Sequence, residues 1–258
     1  MDLLISIIVC FIAGAGAGLG TGFAGLSAAA VISPMLITFL DVPAYAAIGI
    51  ALASDVLASA VSAYIYGKNK NIDIKNGLVM LVFVLIFTFL GSLIGKVIPN
   101  DSMGGFSLIM TLLLGIRFIV KPTLKERKDL SGMSKTQQIL RSGLSGSAIG
   151  LVCGTVGAGG GMMMLLVLTS ILGYELKTAV GTSVFVMTFT ALTGAVSHFA
   201  LGGMPDILLL VLCVVFTLLW ARIGAALANK ASAKTLNRTV GVILTVLGVG
   251  MIAVKYLF

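Results

Sequence analysis

The sequence predicts an all-α, polytopic helical membrane protein of eight to ten transmembrane segments, arranged as two inverted-topology repeats with Gly-broken or re-entrant helices. Three observations predict it. First, 59% of the 258 residues are apolar and 10% are charged, against about 25% charged in an ordinary soluble domain. That leaves too little polar side chain to cover a water-soluble globule. Second, apolar runs recur from end to end. The 32 Gly, 13 Phe and 12 Met against five Pro suit closely packed membrane helices rather than a barrel of short alternating strands. Third, the basic residues concentrate in alternate loops, which gives the chain an orientation.

The elements follow in order. A helix crossing the hydrocarbon needs about 20 apolar residues, and runs near that length lie at 3–23, 45–66, 77–98, 103–120, 139–157, 177–201, 207–228 and 239–257. Two further runs, 26–40 and 158–172, are shorter. As helix they reach about 22 Å, so each either crosses incompletely or re-enters; in both cases the chain returns to its starting side. The first segment, MDLLISIIVCFIAGAG, begins with an acid and has no basic n-region, so it is expected to stay in the mature protein. Cys10, Cys153 and Cys213 lie in apolar runs without CxxC spacing or a nearby His. They predict neither a disulfide framework nor a zinc site, and read as small core residues.

Seventeen Lys and Arg against nine Asp and Glu leave a net charge of +8. A nucleic-acid partner is not expected, because almost no soluble domain exists to carry its surface. The one long polar stretch, KPTLKERKDLSGMSKTQQILR at 121–141, should be cytoplasmic by the positive-inside rule. Residues 121–138 then form a basic linker between a first repeat at 1–120 and a second at 139–258, each of five segments. Alternation puts the loops bearing Lys68, Lys70 and Lys75, Lys177, and Lys230, Lys234 and Arg238 inside. It puts the Asp41 turn, the 99–102 and 201–205 turns and both termini outside. The expected location is the inner membrane of a prokaryotic cell.

An offset of 132 aligns Gly14, Gly18, Leu19, Gly22, Gly25, Ala47 and Gly49 with Gly146, Gly150, Leu151, Gly154, Gly157, Ala179 and Gly181. Equivalent loops carry opposite charge bias: Lys68 to Lys75 is basic where 201–205 is not, and 99–102 lacks the bases of Lys230, Lys234 and Arg238. The second repeat is therefore expected to be inserted upside down. Inverted repeats of this kind build secondary transporters, with the site at the repeat interface near the midplane.

The runs GLVCGTVGAGGG at 150–161, AVGTS at 179–183 and TALTGAVSHF at 190–199, with a weaker echo in the first repeat, resemble the sulfite exporter family TauE/SafE. That resemblance implies a permease for sulfite or an organosulfur anion, working outward. The first repeat departs from the pattern. Leu26, Ser27 and Ala28 follow Gly25, AIGIA stands at 47–51, and Pro34 answers to Leu166.

The glycine stripe of Gly14, Gly18 and Gly22 lies on one helix face and reads first as close helix packing. Gly157, Gly159, Gly160 and Gly161 are different: four glycines in five positions weaken a helix by roughly 1 kcal/mol each, and a break is expected there. Non-helical backbone at membrane depth persists only where protein encloses it or a watery cavity meets it. The freed N–H groups are then ready donors for an anion. Thr155, Thr182 and Ser183, with Thr21, Gly22, Gly25 and Ser27 opposite, complete the candidate substrate site, although such hydroxyls also bond back to their own helix. Asp55 is the one carboxylate away from a boundary, and an intramembrane acid is a functional candidate by default. It could couple transport to a proton or sodium, or only bond a neighbouring helix. His198 reads as an interfacial residue or as a gate or proton carrier. Arg222 reads as a snorkelling base or an anion lure.

No nucleophile stands with a base at useful spacing, and no Gly-Lys-Ser/Thr phosphate loop or metal cluster occurs in the sequence, so no enzymatic activity, cofactor or metal is expected. The expected function is secondary transport of a small sulfur-containing anion by alternating access. The alternatives are an anion channel, or a permease for thiosulfate or a carboxylate. The expected partners are the lipid bilayer and the anion.

Overall fold

Apolar runs flanked by polar turns become helices because backbone groups in hydrocarbon must find their partners within the segment. The computed structural model describes residues 3–99, 135–157 and 160–257, with isolated helical positions between 102 and 120. The linker residues 121–134 and half of the expected segment 103–120 lie outside the described residues. Among the described residues there is no strand.

Before the linker come α1 (Leu3–Ala24), α2 (Ala29–Leu40), α3 (Ala44–Lys68) and α4 (Ile74–Val97). After it come α5 (Lys135–Val156), α6 (Gly160–Leu166, continued by a π-helical turn over Val167–Ile171), α7 (Leu176–Gly202), α8 (Ile207–Ala228) and α9 (Ala233–Leu257). Six of them, α1, α3, α4, α5, α7 and α8, contain stretches long and apolar enough to cross a membrane. The protein is an all-α, polytopic membrane protein. At 12 residues, α2 reaches only about 18 Å, too short to cross. Two expected starts move outward: α5 begins at Lys135 rather than 139, and α9 at Ala233 rather than 239. Their first turns are polar and helical at once, so the helix runs past the apolar stretch.

The surface is apolar, and the interior mixes large and small side chains. Leu208, Val211, Val215 and Leu219 of α8, and Leu78, Val82, Ile86 and Leu93 of α4, are exposed stripes at helical spacing. Glycine, alanine, serine and threonine share the interior with larger side chains such as Ile32, Leu36, Ile48 and Leu52, and the small ones lie where helices meet. Their small size brings backbones together. Gly14, Gly18 and Gly22 of α1 lie against Phe216 and Thr217, then Thr217 and Ala221, then Ala221 and Ala225 of α8. Contacts that advance together along both chains make α1 and α8 parallel. Gly146, Gly150 and Gly154 of α5 do the same against Met80 to Ser92 of α4. Between these pairs, α3 and α7 run antiparallel, with Gly49 against Phe199, Gly194 against Leu52, and Gly181 against Tyr66 and Asn71.

Backbone irregularities recur at the spacing of the sequence match. Gly25 (φ 62°) follows α1 and Gly157 (φ 69°) follows α5. Each amide bonds the carbonyl four residues back, Gly25 to Thr21 and Gly157 to Cys153. This left-handed helix end costs a side-chain-bearing residue energy that glycine avoids. At the far end of the short helices, Asp41 (φ 49°) and Gly173 (φ 64°) are again an equivalent pair with positive φ. In between, α2 contains Pro34, while the π turn begins one residue after Leu166, its counterpart.

Candidate functional site

The two interruptions meet in the buried centre. Gly161 lies against Gly25 O and Ser27 N, and Ser27 Oγ donates to Gly157 O at 3.2 Å. The segments around 25–28 and 157–161 therefore cross in opposite directions. Ser183 Oγ, on α7, lies between them, 3.3 Å from Gly161 O and 3.4 Å from Gly25 O. Every described residue from Gly20 to Leu36 is buried. In this structure the crossing is packed shut.

Hydroxyls and a carboxyl line the first interruption. Thr21 Oγ1 donates to Leu26 O at 2.8 Å, and Ser27 Oγ accepts from Ala29 N at 3.3 Å. Asp55, on α3, is fully buried, and its Oδ1 accepts from Ser59 Oγ at 2.9 Å. The carboxyl faces the Thr21 and Ser27 hydroxyls and the Ala28 N–H, yet Oδ2 has no hydrogen-bond partner. The second interruption is chemically different. At the positions 132 residues further on, Cys153 answers to Thr21 and Met187 to Asp55. Their sulfurs lie beside Gly160 and Gly161. One half of the crossing presents oxygen and the other sulfur.

The structure thus brings together Thr21, Gly25, Ser27, Gly157, Gly160, Gly161 and Ser183, with Asp55 beside them. Gly159 lies outside the described residues. Other candidates are placed elsewhere. Gly22 packs on α8, and its carbonyl accepts from the buried Tyr66 hydroxyl at 3.0 Å. Thr155 Oγ1 donates to its own helix, at Leu151 O (2.9 Å) and Val152 O (3.2 Å). Thr182 Oγ1 accepts from Asp73 N at 3.0 Å, so it serves the loop after α3. His198 is buried near the far end of α7; its ring stacks on Tyr45 at 4.3 Å and Nδ1 meets Gly194 O at 2.9 Å. Arg222 is exposed on α8, away from the crossing helices' buried faces.

Sequence reasoning missed a polar network at the end of the molecule that bears Lys68 and Lys177. Tyr174 donates to Asp73 Oδ2 at 2.8 Å, Asn71 Nδ2 to Asn229 Oδ1 at 3.2 Å, and Lys177 Nζ to Asn229 O at 2.8 Å. It ties the loops after α3, α6 and α8 together. The signal available was three polar residues, Asn71, Asp73 and Asn229, in loops otherwise rich in lysine. A cavity of about 530 Å³ lined by Lys234, Thr235, Arg238, Thr239 and Val242 opens on α9, and none of these residues belongs to either interruption. Among the described residues, no group of three His, Cys, Asp or Glu could hold a metal ion.

Comparison with known proteins places this architecture. The model of a family described as sulfite exporter TauE/SafE matches residues 10–251. The chain is similar to the probable membrane transporter protein YunE of Bacillus subtilis (strain 168), 26% identical over 268 residues and covering 98% of each chain. It is similar to YdhB of the same organism, also described as a probable membrane transporter protein, 27% identical over 212 residues, covering 82% of this chain and 86% of the other. A probable membrane transporter protein of Haemophilus influenzae is 27% identical over 267 residues, covering 95% of this chain and 97% of its own. No solved structure matches at comparable significance.

Proposed function

We propose, from the premise that this chain belongs to the sulfite exporter TauE/SafE family, that this membrane transporter moves a small sulfur-containing anion such as sulfite or an organosulfonate outward by alternating access. The observation that carries the reading is the buried crossing of two interrupted helices. A buried interruption of this kind supplies what a helix interior cannot: amides and carbonyls free to face a ligand, enclosed by protein. Here the hydroxyls of Thr21, Ser27 and Ser183 add donors. The described core holds no buried Lys or Arg, so an anion would trade its water for amide and hydroxyl donors rather than for a counter-charge.

Two further observations support alternating access. The equivalent helices of the two repeats, α3 and α7, run antiparallel, which is what inverted repeats require. The 121–138 linker would then be cytoplasmic and both termini outside. Each end of the molecule also has its own closure: the Asp73, Tyr174 and Asn229 network at one, the Tyr45–His198 stack at the other. Rocking one repeat against the other would open these in turn.

The test is flux in liposomes containing the purified protein, against sulfite, thiosulfate, methanesulfonate, sulfoacetate and simple carboxylates. Saturable counterflow of a sulfur anion, lost on Gly161→Leu, is the expected result. Unitary single-channel currents would replace the carrier with a channel, and absence of flux for every anion under proton and sodium gradients would remove the proposal.

A further inference from the structure

We propose that Asp55 is a proton-binding site built into the first interruption, and that its proton is taken up together with the transported anion. This rests on the transport reading above but has a readout of its own. The carboxyl is fully buried in the part of the molecule that would hold the anion. Its Oδ1 has the Ser59 hydroxyl, while Oδ2 is unpartnered. A buried charge persists only when paired or fully hydrogen-bonded. An anion arriving at the crossing would add like charge to it. Anion binding therefore favours the protonated carboxyl, and by reciprocity the proton favours the anion.

The surroundings supply the switch. The Thr21 and Ser27 hydroxyls both face the Asp55 carboxyl, but in this structure they donate elsewhere, Thr21 to Leu26 O and Ser27 to Gly157 O. That arrangement suits a neutral carboxyl, which does not demand their protons. When Asp55 ionises, both hydroxyls can turn to Oδ2. Ser27 then releases Gly157 O, a hydrogen bond that joins the two interruptions. The charge on Asp55 is thereby linked to the hydrogen bond that joins the two interruptions.

Among the described residues, the neighbourhood contains no competing charge. From its own helix Asp55 meets Ser59; from α1, Thr21; from the interruption, Ser27 and the Ala28 N–H. From α5 it acts on the Cys153 thiol, the titratable group facing it from another element. No described Lys, Arg, His or second carboxylate acts on it. The Ala28 N–H beside the carboxyl is a donor and offers sodium no lone pair. The second repeat cannot substitute, since Met187 stands at the equivalent position and a thioether takes no proton.

The experiment combines infrared titration of the purified protein with proton counting in liposomes, using methanesulfonate and thiosulfate, anions of strong acids that carry no proton of their own. The wild type should show a protonated-carboxyl band that grows when either anion is added and disappears in Asp55→Asn. Transport should carry about one proton per anion; Asp55→Asn should carry none, and Asp55→Glu should restore the coupling. Ser27→Ala should retain the carboxyl band and weaken the pH dependence of transport. A titrating band that survives in Asp55→Asn, or proton movement undiminished in that variant, overturns the proposal. So does coupling that follows sodium instead of pH. An Asp55-dependent band with no anion flux would support the proton site while removing the transport reading.

Discussion

Gly161→Ala places one methyl group where the interruptions cross, and its cost can be worked from the contacts. A Cβ there would run into Gly25 O, and would lie 2.6 Å from Met187 Sδ and 2.7 Å from Ser27 N. Ordinary contact begins at 3.4 Å, so the Ser27 amide must retreat by roughly 0.7 Å. The Met187 side chain can swing, but two of the three obstacles are backbone of the opposite interruption, and no rotamer change relieves them. Overpacking of this kind costs about 1–3 kcal/mol. Separating the segments also strains the Ser27 bond to Gly157 O, worth about 1 kcal/mol, while alanine's better helix propensity returns at most about 1 kcal/mol. The net loss is about 1–3 kcal/mol, or roughly 2–10 °C in melting temperature. Cys10, Cys153 and Cys213 are buried and free, so a dye that fluoresces on reacting with thiols reports unfolding without added probes. Gly250→Ala is the control, because nothing lies within 4 Å of a Cβ at that position. A Gly161→Ala protein that melts with the wild type would refute the close crossing.

Two other substitutions test the supports of the crossing. Asp206 caps α8, its Oδ1 accepting from Leu208 N at 2.8 Å and Leu209 N at 3.1 Å; Asp206→Ala should cost about 1 kcal/mol and Asp206→Ser much less, and equal melting of the two variants would show the cap to be idle. Tyr66→Phe removes the buried donor to Gly22 O and should cost about 1–2 kcal/mol. Faster amide hydrogen exchange at the end of α1 is the expected companion, and unchanged exchange there would show that the hydroxyl does not hold this end.

The apolar runs located the helices well because hydrocarbon imposes one rule on every backbone group. They misplaced the starts of α5 and α9 because that rule says nothing about a helix outside the hydrocarbon. The second interruption was visible in its glycines, and the first was visible through Gly25 alone, since Leu26, Ser27 and Ala28 are ordinary residues. The hydroxyls were not legible individually. Thr155 and Ser183 look alike in sequence, yet Thr155 bonds its own helix and Ser183 lies between two interruptions. Which carbonyl a hydroxyl meets depends on how the helices cross, and a single segment does not encode that. The π turn after Leu166 was equally hidden, since no proline marks it.

Scaffold and chemistry part company between the two halves of the chain. Where the requirement is backbone conformation, the match at the 132-residue offset holds: Gly25 and Gly157 end helices with positive φ, and Asp41 and Gly173 do so again. Where the requirement is a side chain, it fails. Thr21 is answered by Cys153, Asp55 by Met187 and Tyr66 by His198, and all six are buried. A crossing that is alike in backbone but has oxygen on one side and sulfur on the other cannot treat a proton alike at both interruptions. If the two halves exchange roles during a cycle, only the one that carries Asp55 brings a carboxyl to the crossing. Exchanging the pair, Asp55→Met with Met187→Asp, should therefore reverse which side of the membrane sets the pH dependence of flux. A double variant that transports with the original sidedness would show that the asymmetry lies in the helices rather than in these two residues.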